Sequence, residues 1–180
     1  IDRSLVGSEM CIRDRYGADT VRLFILFAAN PTAGMDWSDA ALEANYRQMV
    51  QLRGMPESIL SWQGKANDID VWMIARLKQR YSQWQNAMDS YDLRGAVDAS
   101  HSDLIKDLNW YRRRGGENPE IGKEILDVWC HMISVATPHL AEDWWKVMGN
   151  GDLIAGRTLT NPENLTTEEK SALEAETYLR

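Results

Sequence analysis

The residues of this chain that are best suited to bind a ligand are three consecutive arginines, Arg112, Arg113 and Arg114. A guanidinium group forms paired hydrogen bonds to phosphate oxygens, so the cluster is suited to contact a nucleic-acid backbone. Their position also has a simpler explanation, because cations are stabilised at the C-terminal end of a helix. Successive helical residues point about 100° apart. We therefore expect at most two of the three side chains to contact one strand.

Residues that could form a catalytic centre or a metal site are scattered. His101, His131 and His139 fall on separate predicted helices or faces, and no two have the spacing of a ligand pair. Cys130 and His131 are adjacent and diverge by about 100° on a helix, so we interpret them as a buried cysteine and a partly exposed histidine. Gly115-Gly116 is a helix stop, not a phosphate-binding loop. We predict no catalytic residue, metal ligand or cofactor-binding residue.

Composition indicates a globular protein with an acidic balance. Of 180 residues, 44% are hydrophobic and 26% are charged, and the formal net charge is -7. A negative charge opposes phosphate binding, although an acidic body can carry a basic stripe. No apolar run reaches the roughly 18 residues of a membrane span, and no signal peptide is evident. The two cysteines show no disulfide or metal spacing. We therefore expect a cytoplasmic protein without a membrane partner.

The elements that must position the arginines are all predicted to be helices. Apolar periodicity, capping residues and prolines give the signals, and no convincing strand alternation is present. The predicted helices run from Ala18 or Asp19 to near Asn30-Pro31, from Ser38 to near Gly54 or Pro56, from about Asp68 through Met88, from Leu93 to Arg113, from Asn118-Pro119, from Thr137-Pro138 to near Met148, and from Thr167.

Several side chains are assigned environments by this pattern. We expect Thr137 to cap its helix, and Trp110 and Tyr111 to pack in the core. The long third helix has an apolar stripe, and we expect its opposite face to be solvated. That face carries Arg76, Lys78, Arg80 and Gln83. Part of the acidity lies in the C-terminal stretch, on Glu163, Glu168, Glu169, Glu174 and Glu176.

Three segments resemble class I aminoacyl-tRNA synthetases, and the archaeal type of the leucyl enzymes is the most similar. Tyr16 to Arg47, with its FAANP and DWSD wording, resembles the point where the chain leaves the catalytic domain and enters the helical anticodon-binding domain. Leu104 to Arg114, LIKDLNWYRRR, is similar to a segment of archaeal and eukaryotic leucyl enzymes. Ser134 to Trp145, SVATPHLAEDWW, resembles a helix start common to leucyl, isoleucyl, valyl and methionyl enzymes.

The resemblance implies an all-α fold, a helical bundle of the class I anticodon-binding type. It implies a junction after the catalytic domain at residues 16–37, the anticodon-binding domain at 38–148, and the start of a C-terminal extension at 149–180. Ile1 to Arg15 lacks the lysine- and serine-rich loop that the family carries there, and SLVGSEMCIRDR resembles translated adapter sequence. We interpret residues 1–15 as non-native or disordered.

The resemblance also implies a function. The parent enzyme would join leucine to tRNA(Leu) with ATP and Mg²⁺, while this fragment, which lacks both ATP-binding signatures, would not be catalytic. It would dock tRNA, with Arg112, Arg113 and Arg114 as contacts, and brace the catalytic domain of the same chain. Two alternatives remain open. One is the corresponding domain of an isoleucyl-, valyl- or methionyl-tRNA synthetase, and the other is a helical protein-interaction module that binds no RNA.

Overall fold

The computed structural model describes residues 14–28, 37–157, 162 and 164–179, with side chains up to residue 176. In these ranges the chain is helical and contains no strand, which confirms the predicted all-α fold. Most of the segment 1–15, the Asn30-Pro31 break and Glu163 lie outside the described residues. The α-helices are α1 (Ala18–Ala28), α2 (Asp39–Arg53), α3 (Met55–Leu60), α4 (Ile69–Asp89), α5 (Leu93–Val97), α6 (Leu104–Arg113), α7 (Pro119–Ser134), α8 (Pro138–Val147) and α9 (Thr167–Leu179).

Helix ends agree with the local signals in most places. Ser38 accepts a hydrogen bond from Ala41 N at the start of α2, and Asn118 accepts one from Glu120 N at the start of α7. The short helix α3 was not predicted, because Pro56 was interpreted as a stop. Proline is tolerated in the first turn of a helix, where its missing N–H has no partner to lose, and Pro56 lies there.

The predicted helix from Leu93 to Arg113 is interrupted by a π-helical segment, Asp98–Asp103. The wide turn brings Ala99, Ser100 and His101 into the interior one after another, with 3% or less of each exposed. Regular α-helical geometry would point one of the three outwards. π-turns arise where one extra residue enters a helix, and periodicity alone does not reveal them.

Helix α4 is the central strut of the fold and packs against α5, α6, α7 and α9. Large aromatic residues fill the core around it, among them Trp129 and Trp144, each 1% exposed or less. Their indole N–H groups donate to backbone carbonyls, Trp129 to Ser100 O at 2.6 Å and Trp144 to Leu52 O at 3.1 Å. Buried indoles need such partners, so these rings fix the helices in register as well as filling space.

The prediction of a solvated face on α4 was wrong for Arg76, Lys78 and Arg80 and is confirmed only for Gln83, which is exposed. The side chains of Arg76, Lys78 and Arg80 are each only 14–15% exposed. Arg80 Nε lies 2.6 Å from Asp107 on α6, while Arg76 and Lys78 each lie 2.7 Å from a carboxylate of α9. The carboxylates on α9 are Glu176 and Glu169, both part of the acidic C-terminal stretch. Burial alone would raise the pKa of Glu169, but hydrogen bonds from Lys78 and Thr166 lower it.

Helix α1 is attached to the turn between α7 and α8 by two charged side chains. Arg22 donates to the carbonyls of Ala136 and Val135, at 3.1 and 3.0 Å. Asp19, 7% exposed, accepts from Leu140 N at 2.8 Å. The cation therefore meets the C-terminal end of one helix and the anion the N-terminal end of the next, as the helix dipoles favour.

Thr137 occupies the predicted cap position of α8, but its side chain does not cap the helix. Its hydroxyl donates to Ile133 O instead, and Asp19 supplies the capping oxygen from α1. Thr137 Oγ1 also lies 3.0 Å from His101 Nε2, and Ser100 Oγ lies 2.8 Å from His101 Nδ1. The π-helical segment is thus joined by polar contacts to the turn that receives α1.

The buried imidazole of His101 makes a pH effect testable. Burial lowers its pKa to about 3 from the ordinary 6.5. The unfolded chain binds this proton near pH 6.5 and the folded chain does not until about pH 3, so the contribution of His101 is intact above pH 6.5 and is lost as pH falls towards 3. We expect the free energy of unfolding to fall by about 1.4 kcal/mol per pH unit within this window from this group. Urea unfolding between pH 7 and 4.5 measures the slope.

His101→Gln should remove this component of the slope, whatever its effect at pH 7, because glutamine does not titrate. NMR of the histidine ring protons gives an independent check on the native protein. A His101 resonance that titrates near pH 6.5 in the folded state would contradict the assignment.

Candidate nucleic-acid interface

The three predicted arginines lie together at the C-terminal end of α6, and all three are exposed. Their surroundings differ. Arg113 Nε donates to Asn109 O, which is the helix-end role that the dipole favours. Arg112 lies 3.6 Å from the exposed carboxylate of Glu117, a weak surface pair. Arg114 is stacked on an indole, with its guanidinium carbon 3.5 Å from the centre of the Trp110 ring.

The loop after the arginines is fixed by close backbone contacts. Gly115 ends α6 with φ +79, a conformation that glycine adopts without strain. A β-carbon on Gly116 would overlap the ring of Tyr111, so only glycine fits there. Two bonds tie this loop to the segment between α3 and α4: Asn67 Nδ2 donates to Gly115 O at 3.2 Å, and Gly64 N donates to Glu117 O at 2.8 Å.

A buried carboxylate, Asp70, holds this end of the bundle together. It is 7% exposed and accepts from Tyr111 Oη and Asn118 Nδ2, both at 2.6 Å, and from Asn67 N at 3.1 Å. These donors belong to the end of α6, the start of α7 and the entry to α4. Asp70 therefore holds the end of α6, where the arginines lie, next to the start of α7.

Tyr111 is fully buried, as the core-packing interpretation expected. Burial raises the pKa of its phenol strongly, and the hydrogen bond to Asp70 raises it further. The hydroxyl thus stays protonated at neutral pH and donates to the carboxylate.

Trp110 is only half-buried and forms part of a stack. Its ring centre lies 4.0 Å from that of Trp72 on α4. The Trp72 indole donates to Glu176 at 3.0 Å, and this carboxylate also receives Arg76. Trp110 thus packs against the core through Trp72, as predicted, but its ring also carries Arg114 at the surface. The stack was not predicted from the sequence, since Trp72 comes from a helix distant in the chain, although Trp110 and Arg114 are one helical turn apart.

The residues considered for other chemistry are not arranged for it. Cys130 is buried, and its thiol donates to Ala141 O at 3.2 Å. Burial raises its pKa to about 12, which leaves the sulfur unreactive. Among the described residues, no group of histidine, cysteine and acidic side chains is arranged to hold a metal ion. The helices described here include none with the length and apolar character that crossing a membrane requires.

Comparison with known proteins gives consistent matches. The family model described as the anticodon-binding domain of tRNA ligase matches residues 70–179. The leucine–tRNA ligase of Archaeoglobus fulgidus is 37% identical over 169 residues, which cover 92% of this chain and 17% of that protein. The enzyme of Methanosarcina mazei is 32% identical over 146 residues, 78% of this chain and 15% of that protein. The chain therefore spans only 15–17% of the length of these curated relatives.

A solved structure shares the fold. It is the LeuRS of Agrobacterium radiobacter K84 in a ternary complex with tRNA and LeuAMS, and its TM-score to this chain is 0.68. The match covers 86% of this chain and 21% of that one at 20% sequence identity. At that identity the likeness shows the helical fold and no more.

Asp70 can be tested by a substitution that preserves its shape. We expect Asp70→Asn to lower the free energy of unfolding by about 1–3 kcal/mol, because an amide NH₂ would replace one of two acceptor oxygens that face donors. Urea unfolding at pH 7 measures the loss. The matched control is Asp68→Asn, two residues away and exposed, whose side chain makes no capping bond. Equal effects of the two substitutions would contradict the role given to Asp70.

Proposed function

Because the chain belongs to the family of anticodon-binding domains of tRNA ligases, we propose that it is the tRNA-docking helical domain of a leucine–tRNA ligase. The observation that carries the proposal is an exposed arginine cluster at the end of α6, directly before a fixed loop, in a domain whose curated relatives are leucine–tRNA ligases. The partner is tRNA(Leu), and Arg112, Arg113 and Arg114 contact its phosphates.

The rest of the parent enzyme supplies the chemistry. In this proposal it activates leucine with ATP and Mg²⁺ in the cytoplasm, and residues 16–37 connect its catalytic domain to the helical domain that begins at residue 38. The polar attachment of α1 to the α7–α8 turn supports a bracing role for this junction. The described part of residues 149–180 packs on α4 through α9.

A protein-interaction module remains the contrasting function, and the charges separate it from RNA docking. Of the basic groups near the end of α6, neither Arg113 nor Arg114 takes part in an ion pair among the described residues. Arginines that attract phosphate release counterions when they bind, so their contribution depends steeply on salt. A protein partner held by apolar contacts would show no such dependence.

We expect the chain to bind a tRNA(Leu) transcript with an affinity that falls steeply as salt rises. Replacing Arg112, Arg113 and Arg114 together by alanine should weaken binding and reduce the slope of log K against log salt. The reduction should be about 0.7–0.9 for each phosphate that the variant no longer neutralises, and so roughly 1.4–1.8 for two phosphates. Fluorescence anisotropy at several salt concentrations measures both quantities.

A charge-matched control removes three exposed cations elsewhere, Arg94, Lys146 and Arg157. This control changes the net charge by the same amount but leaves the arginine cluster intact. It should therefore keep most of the salt dependence. If both triple variants bind alike, or if binding ignores salt, docking through the arginine cluster is wrong.

A further inference from the structure

We propose that Arg114, stacked on Trp110, is the binding site for one unpaired base of the RNA, and that it acts through its planar guanidinium face as well as its charge. This inference rests on the proposed function, and it names the kind of nucleotide that the arginine cluster takes. Arg112 and Arg113 contact the RNA phosphates, and Arg114 stacks on the base.

The geometry is a stack of flat groups that begins in the interior and ends at the surface. Arg76 lies over Trp72, with its guanidinium carbon 5.6 Å from the ring centre. The ring centres of Trp72 and Trp110 are 4.0 Å apart, with their planes tilted by 35°. The guanidinium carbon of Arg114 lies 3.5 Å from the centre of the Trp110 ring. Trp72 is 3% exposed, Trp110 half-buried and Arg114 exposed. The outermost layer is thus a planar cation with one face on the indole. Nucleic-acid bases stack on such guanidinium planes.

The stack is held at its inner end. Glu176 accepts from the Trp72 indole at 3.0 Å and from Arg76 at 2.7 Å, so the first two layers are fixed to α9. At the outer end, Gly115 and the bond from Asn67 fix the backbone directly after Arg114. An arginine held in this way loses less side-chain freedom on binding than a free surface arginine.

Charge alone does not account for this arrangement. A phosphate contact needs only a cation, and Arg113 next to it provides one without any aromatic partner. Arg114 takes part in no ion pair among the described residues and meets only the indole of Trp110 through its face, so its N–H edges are not used within this part of the chain. Its N–H edges therefore remain open to the nucleotide whose base lies on its face.

The test separates planarity from charge. Arg114→Lys keeps the cation and removes the plane, and Arg113→Lys is the matched control one residue away. The probes are an eight-nucleotide adenosine RNA and an eight-nucleotide RNA backbone without bases, bound at low salt to the full 180-residue chain. We expect Arg114→Lys to weaken binding of the adenosine RNA at least about fivefold, as loss of one stacked base would. Arg113→Lys should change it less than twofold.

The baseless RNA completes a thermodynamic cycle. It should bind the unchanged chain and the Arg114→Lys variant equally, since only the stacked base distinguishes them. Equal binding of the adenosine RNA by these two proteins, or no preference of the unchanged chain for it over the baseless RNA, would overturn the inference. In either case a salt-dependent loss of tRNA binding on triple alanine substitution would still support the proposed docking function. Circular dichroism melting confirms that both lysine variants fold.

Discussion

The fold depends on the requirement that a charge withdrawn from water meets an opposite charge. Helix α4 carries Arg76, Lys78 and Arg80 on the side that faces α6 and α9, and each side chain is about 15% exposed. Those neighbours supply the carboxylates at hydrogen-bonding distance. Because removal of one member would leave a buried charge unpaired, the pairs favour α6 and α9 as the neighbours of α4 on this side. The apolar core then fills the space that this arrangement encloses.

The same pairs explain how an acidic chain can offer a basic surface. The net charge is -7, but Asp107, Glu169 and Glu176 face inwards and are engaged with α4. Each is paired with a cation of α4, so these pairs add little net charge to the surface. Binding follows local potential and not net charge. The buried acids of the C-terminal helix therefore do not oppose a phosphate contact at Arg112–Arg114, and its exposed acids are Glu168 and Glu174.

Local signals in the sequence predict most of the helix starts correctly. Ser38, Asn118 and Pro119 mark helix starts because capping involves residues two or three positions apart. Local signals fail where the partner lies far along the chain. Asp19 caps a helix 121 residues away, and Trp72 bonds to Glu176 across 104 residues. Hydrophobic periodicity marked the charged face of α4 as solvated, since the period cannot show that an oppositely charged helix will cover it.

A usable signal for that helix was nevertheless present. Glu169 and Glu176 are seven residues apart, which places them on one face of α9, and the cations of α4 that they meet are Arg76 and Lys78. Two helices with charge rows of opposite sign are candidates to pair. No comparable signal pointed to the contacts of Asp70. Its donors are a phenol, an amide and a backbone N–H, and they come together only after three segments have packed.

The direction in which Arg114 leaves α6 depends on how this helix is rotated about its own axis. Asp103, Asp107 and Tyr111 recur every four residues, and all three bond to α4. Trp110 and Arg114 are also four apart, on the adjacent side of the helix. Because the first row is bonded to α4, the direction of Arg114 is fixed as well.

The π-helical segment before α6 contains one extra residue, and one residue rotates the helix that follows it by about 100°. The segment therefore sets the rotation of α6 relative to α5, while the bonds of Asp103, Asp107 and Tyr111 to α4 decide which side of α6 carries Arg114.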